Sequence, residues 1–168
     1  MIKPIRRSDL LQSIGIALGR TKGIPPIPAT TIEPSPTSST RTLRVLLAED
    51  SPDNQLLVRS YLKQTNYCLE IADDGAVALD KFKTAHYDVI LMDIQMPVMD
   101  GYAATKAMRS WEREHDLAPT PIIALTALAL KEEEARIFEA GCNTRLTKPV
   151  KKSTLLEILR AHKEHIIS

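Results

Sequence analysis

Three short apolar runs set the strongest limit on how this chain can fold: Val45-Leu46-Leu47-Ala48, Val89-Ile90-Leu91-Met92 and Ile122-Ile123-Ala124-Leu125. A strand with one wet face would alternate apolar and polar residues, because successive side chains point to opposite faces. Uninterrupted apolarity instead predicts strands buried on both faces, as in a parallel sheet covered by helices. Cys68–Ala72 and Thr144–Thr147 are weaker strand candidates.

The stretches between these runs have helical character. Ser51-Pro52 offers a cap residue followed by proline at the first helical position. Leu57, Val58, Tyr61 and Leu62 then repeat at helical spacing. Ala78, Leu79 and Phe82 predict a second helix opening near Asp74-Gly75. Tyr102–Glu114 makes a third and Lys131–Ala140 a fourth, stopped by Gly141. Leu155, Leu156 and Leu159 mark a fifth, ending near the C-terminus. Five strands alternating with five helices predict a doubly wound α/β fold, (βα)5, with right-handed crossovers.

Polar residues sit directly behind the apolar runs. Glu49 and Asp50 follow the first, Asp93 follows the strand that ends at Met92, and Thr126-Ala127 follows Leu125. Lys148-Pro149 follows the last strand candidate. In an open α/β sheet the ligand site lies beyond the carboxyl ends of the strands, where strand order reverses. The fold thus brings three carboxylates to one crevice. Two unit charges at 4 Å repel by about 4 kcal/mol at an effective dielectric of 20. A hard divalent cation relieves that repulsion, and Mg²⁺ suits because it retains waters and accepts phosphate oxygens. Taken singly, each residue has a plainer reading. An acid pair before Ser-Pro is usually a solvated turn, Thr126 a helix cap and Lys148-Pro149 a loop. Their joint placement behind successive strands is what specifies a site.

The run Asp93-Ile94-Gln95-Met96-Pro97-Val98-Met99-Asp100-Gly101 resembles the phosphoacceptor loop of response-regulator receiver domains. The resemblance extends from Leu43 to about Ile166. It implies a flavodoxin-like sheet of five parallel strands in the order 2-1-3-4-5. The rule for open α/β sheets has a member of this same family among its own examples, with the switch point between strands one and three. The resemblance further implies that Asp93 is the nucleophile that takes a phosphoryl group from a phosphohistidine. Asp50 and Asp93 would ligate Mg²⁺ (or Mn²⁺) directly, Glu49 would act through water, and the Gln95 carbonyl would complete the protein ligands. Lys148 would supply positive charge to the phosphate, Pro149 a cis bond and Thr126 a hydroxyl, with Ala127 beside it. Movement of that hydroxyl would shift the following loop and so change the surface. Thr120-Pro121-Ile122-Ile123-Ala124-Leu125-Thr126-Ala127 looks especially like receivers attached to hybrid sensor histidine kinases. Partners implied are the phosphohistidine domain of a histidine kinase and a histidine phosphotransfer domain. Arg145 departs from the pattern, since many members carry Tyr or Phe three residues before the lysine. Gln95 and Leu128 occupy positions that tune phosphate loss in the family.

The remaining residues bear on organisation. Thr21–Thr42 holds Pro25, Pro26, Pro28, Pro34 and Pro36 among Ser and Thr, and reads as an extended linker. Before it, Lys3-Pro4-Ile5-Arg6-Arg7-Ser8-Asp9-Leu10-Leu11-Gln12 aligns with Lys148-Pro149-Val150-Lys151-Lys152-Ser153-Thr154-Leu155-Leu156-Glu157. Residues 1–20 therefore look like the C-terminal helix of a preceding receiver-like domain, residues 21–42 like a linker and residues 43–168 like the receiver. The same N-terminal segment imitates a signal peptide, but Asp9, Gln12 and Ser13 interrupt its apolar run.

With 22 basic against 21 acidic side chains, no basic excess points to nucleic acid. No apolar stretch approaches the roughly 20 residues that span a bilayer. Cys68 and Cys142 lack metal-ligand spacing, which predicts reduced cysteines, buried or inert, in a cytoplasmic setting. The parent chain is then a sensor kinase open to membrane anchoring, while this fragment catalyses only its own phosphorylation and dephosphorylation. Two other readings compete. One is a docking receiver that is never phosphorylated. The other is a haloacid-dehalogenase-like phosphatase, which would place Asp-x-Asp after its first strand, where this chain has Glu49-Asp50-Ser51.

Overall fold

In a computed structural model that describes residues 42–167, the apolar runs become the central strands of one sheet. The elements are β1 (Leu43–Ala48), α1 (Pro52–Leu62), β2 (Tyr67–Ala72), α2 (Gly75–Thr84), β3 (Val89–Asp93), α3 (Gly101–Glu114), β4 (Ile122–Thr126), α4 (Lys131–Ala140), β5 (Thr144–Thr147) and α5 (Lys152–Ile167). All strand pairs are parallel and the order is β2-β1-β3-β4-β5. The proposed helix remnant at 1–20 and almost all of the 21–42 linker lie outside the described residues.

The uninterrupted apolarity has a direct cause in the packing. Leu46, Ile90, Met92, Ile122 and Ala124 face one layer, with Ala78 and Phe82 of α2, Ala104 and Met108 of α3, and Ile137 of α4. Val45, Leu47, Leu91, Ile123 and Leu125 face the other, with Val58 and Leu62 of α1 and Leu155 and Leu159 of α5. Alternate residues of one strand thus serve opposite cores, so neither parity can be polar. Each fully buried Leu or Ile contributes roughly 1.5–3 kcal/mol. β2 is an edge strand and only half-buried along most of its length, which explains its weaker pattern.

Local signals set the helix ends. Asp74 accepts a hydrogen bond from the Val77 amide at 2.8 Å, and Asp100 from the Ala103 amide at 2.8 Å. Gly141 ends α4 with φ +110°, a left-handed conformation that a side chain would strain. Ser51 holds the cap position of α1, yet its side chain makes no capping bond. The expectation that both cysteines are buried or inert holds in burial only for Cys142, because Cys68 lies exposed on edge strand β2.

Candidate functional site

β1 and β3 are neighbours although α1, β2 and α2 lie between them in sequence. Their register pairs Ala48 with Met92, so Glu49 and Asp93 leave the sheet side by side. Glu49 begins the loop after β1 and Asp93 is the last residue of β3, both at the carboxyl end of the sheet. One oxygen from each of Glu49, Asp50 and Asp93 falls within 4.8 Å of the others. Glu49 and Asp93 are buried at 1 % and 3 % exposure, whereas Asp50 is exposed.

Lys148 arrives from the end of β5. Its ammonium lies 2.8 Å from Glu49 Oε2 and 2.8 Å from Asp93 Oδ2. The Lys148 amide donates to the Thr126 carbonyl at 2.8 Å, which ties the end of β5 to the end of β4. The Lys148–Pro149 peptide bond is cis. Burial pushes the Asp93 carboxyl above its usual range, and repulsion from Glu49 adds to this. Hydrogen bonds from Lys148 and the Gln95 amide pull the other way without cancelling it. Burial also works against the Lys148 ammonium, but hydrogen bonding to Asp93 and Glu49 outweighs it and raises its pKa. One ammonium therefore serves two buried carboxylates. The cluster retains excess negative charge, and its donors are all oxygens, the set a hard divalent cation prefers.

The remaining predicted residues are placed as follows. Gln95 is exposed, and its amide donates to Asp93 Oδ1 at 3.1 Å. Thr126 is buried, and its hydroxyl is engaged with Leu128, donating to the carbonyl and accepting from the amide, both at 3.1 Å. Ala127 is exposed at the start of the same loop. Gly101 packs against the Asp93 carbonyl so closely that a Cβ there would overlap it, which explains the glycine that closes the loop. Arg145 pairs with Glu134 of α4 at 3.2 Å, with both side chains partly exposed.

Asn54 was not among the sequence candidates. Its side-chain amide donates to Glu49 Oε1 at 3.1 Å, and the Ser51 amide donates to the same oxygen at 3.2 Å. Glu49 thus has one oxygen on α1 and the other on Lys148. The available signal was the position of Asn54 in the first turn of the helix that Pro52 opens. Asp100 belongs to the motif but serves as the cap of α3.

Residues 45–160 match the response regulator receiver domain family. The chain is 39% identical over 127 residues to the sensor histidine kinase GacS of Pseudomonas protegens, covering 76% of this chain and 14% of that protein. It is 40% identical over 118 residues to hybrid signal transduction histidine kinase M of Dictyostelium discoideum, covering 69% of this chain and 5% of that protein. It therefore spans only a small part of these relatives. Among solved structures it resembles the receiver domain of sensor histidine kinase PA1611 from Pseudomonas aeruginosa, with magnesium coordinated in the active site cleft of that protein. The identity is 37% and the TM-score 0.66, with 73% of this chain and 98% of that one covered. It also resembles the Ssk1 receiver domain, solved with the Saccharomyces cerevisiae histidine phosphotransfer protein Ypd1. Here the identity is 32% and the TM-score 0.66, with 68% of this chain and 83% of that one covered. In sequence and fold alike, the chain belongs to the response regulator receiver domain family, in the form found in hybrid histidine kinases and phosphorelay proteins.

Proposed function

We propose that Asp93 accepts a phosphoryl group from a phosphohistidine and that the chain is a switch in a phosphorelay. The observation that carries this reading is the charge arrangement at Asp93. The carboxylate is almost fully buried, is held at 2.8 Å by Lys148, and has two further carboxylates within reach. A buried carboxylate with that much like charge around it is a poor structural choice, and a good one for a nucleophile that works beside a bound cation.

In the transfer an Asp93 oxygen forms a bond to phosphorus while the bond from phosphorus to the histidine nitrogen breaks. The electron pair stays on the imidazole. Phosphoryl transfer asks the protein mainly for positioning and charge stabilisation. Asp50 and Asp93 would hold Mg²⁺ directly, with Glu49 through water and the Gln95 carbonyl as a further ligand; Mn²⁺ satisfies the same donors. When bound, the cation supplies positive charge to the phosphoryl oxygens. Lys148 already stands at Asp93 Oδ2 and exchanges part of that contact for a phosphoryl oxygen. The Thr126 hydroxyl gives up its bonds to Leu128 and turns to the phosphate, which frees the loop that leads into α4. Partners on this reading are the phosphohistidine domain of a histidine kinase as donor and a histidine phosphotransfer domain as the next acceptor. The setting is cytoplasmic, within a longer kinase.

The test is incubation with Mg²⁺ and a small phosphodonor, followed by intact mass. One added phosphate is expected, absent in Asp93→Asn. No uptake by the unaltered chain would favour an unphosphorylated docking module. Repeated turnover of phosphate esters would favour a phosphatase.

A further inference from the structure

A groove of about 650 Å³ opens beside the acid cluster, between the loop that follows β3 and the loop that leads into α4. Asp50 and Gln95 are among its lining residues, so it adjoins the Asp93 site. Its apolar lining includes Met96, Leu128 and Leu130, the last two exposed at 46% and 56%. Other exposed apolar side chains, such as Leu56, Leu117 and Phe138, lie outside this lining, whereas Leu128 and Leu130 share one concave surface with Met96, the setting in which apolar exposure marks a contact site.

The charge around the groove decides what covers it. Asp50, Asp100, Glu132 and Glu133 line it against a single cation, Arg136, whose guanidinium lies 4.7 Å from the centre of the Tyr102 ring. Glu133 Oε1 accepts a bond from the Tyr102 hydroxyl at 3.4 Å. Glu133 Oε2 is the one buried side-chain oxygen without a hydrogen-bond partner among the described residues. An unsatisfied buried carboxylate oxygen costs free energy that an incoming donor recovers. A lining that combines exposed leucines with four carboxylates against one guanidinium fits a basic amphipathic segment, which brings leucine-like residues to the leucines and lysine or arginine to the acids.

One wall is tied to the switch. Both backbone groups of Leu128 are held by the Thr126 hydroxyl. We propose that this groove docks a basic amphipathic helix of a partner protein while Asp93 is unphosphorylated, and that phosphorylation releases it by freeing Leu128 from Thr126. The state dependence rests on the phosphoacceptor reading; the docking does not.

The probe is a fluorescent synthetic helix with leucine on one face and lysine on the other, measured by anisotropy against the full chain. A helix of the same design with glutamate in place of lysine is the control. The lysine helix is expected to bind and the glutamate helix not. Leu130→Ser with Glu132→Gln should weaken binding by about tenfold or more, with unchanged thermal unfolding and unchanged phosphate uptake from the small donor. Beryllofluoride with Mg²⁺ should weaken binding by a similar factor in the unaltered chain and have no effect in Asp93→Asn. Equal binding of both helices, or full binding by the double variant, overturns the groove. Full binding with beryllofluoride overturns the release step. Failure of phosphate uptake with peptide binding intact sinks the phosphoacceptor reading and the release step, and leaves the groove established.

Discussion

The two ends of the sheet treat buried carboxylates in opposite ways. At the amino end Glu112 is 2% exposed and fully served. One oxygen accepts from Arg109 at 2.6 Å and the other from the Thr120 amide at 2.6 Å. Arg109 in turn donates to the Gly141 carbonyl and to Asn143 Oδ1, which also accepts the Ile122 amide. That network fastens α3 to the starts of β4 and β5. At the carboxyl end Glu49 and Asp93 are as deeply buried, yet they share one lysine, with Asp50 beside them. One guanidinium for one carboxylate makes a fastener. One ammonium for three carboxylates leaves negative charge that suits a cation.

The sharpest way to break this contrast is to exchange one acid at each end. Asp93→Asn should abolish phosphate uptake by mass while the protein stays folded. Retained uptake would mean that another residue is the acceptor. Glu112→Gln should leave uptake intact and destabilise the fold by about 3 kcal/mol in urea unfolding, because it strands the largely buried Arg109 charge. A loss below the error of the measurement would show that the amino-end network is decorative.

Each end also carries one non-glycine residue in the left-handed region: Asp116 before β4 at the amino end, with φ +53°, a conformation that aspartate tolerates, and a valine at the carboxyl end. Val98, in the loop after Asp93, has φ +67°, which is unfavourable for a β-branched residue. Its side chain is 87% exposed, so little packing depends on it. Val98→Asn should stabilise the protein by about 1 kcal/mol, since asparagine tolerates the left-handed region. If stability falls, valine makes a contact that its exposure conceals.

A further test concerns pH. Burial and a hydrogen bond to Glu70 push the Tyr87 hydroxyl up to about 12. A group whose folded pKa is raised contributes stability that is present below its unfolded pKa and lost as pH rises through the folded one. Unfolding free energy should therefore decline from the ordinary tyrosine value, near 10, through about 12. Tyr87→Phe should lack that part of the decline; an identical alkaline slope in the variant would remove Tyr87 as its source.

Most of the fold was legible because the two cores leave no polar position on the central strands. β1, β3 and β4 could be read from Val45, Val89 and Ile122 onward for that reason. β2 and β5 were fainter because an edge strand meets half as much core. The candidate site was legible in its strand-end acids, in Thr126 and in Lys148. Asn54 was hidden, since its role depends on how the first turn of α1 folds back on Glu49. The ion pair of Arg145 with Glu134 was equally hidden, because it joins β5 to α4.

Apolar periodicity and caps are local, so they revealed which segments become strands and helices and which polar side chains stand near the strand ends, to within a residue or two. The packed fold was needed to see that Glu49 and Asp93 share one ammonium, that the Thr126 hydroxyl is occupied by Leu128, and that Glu133 keeps an unpartnered oxygen beside an open groove. These depend on distances between segments far apart in the chain. Periodicity carries no information about such distances until the crossovers have closed.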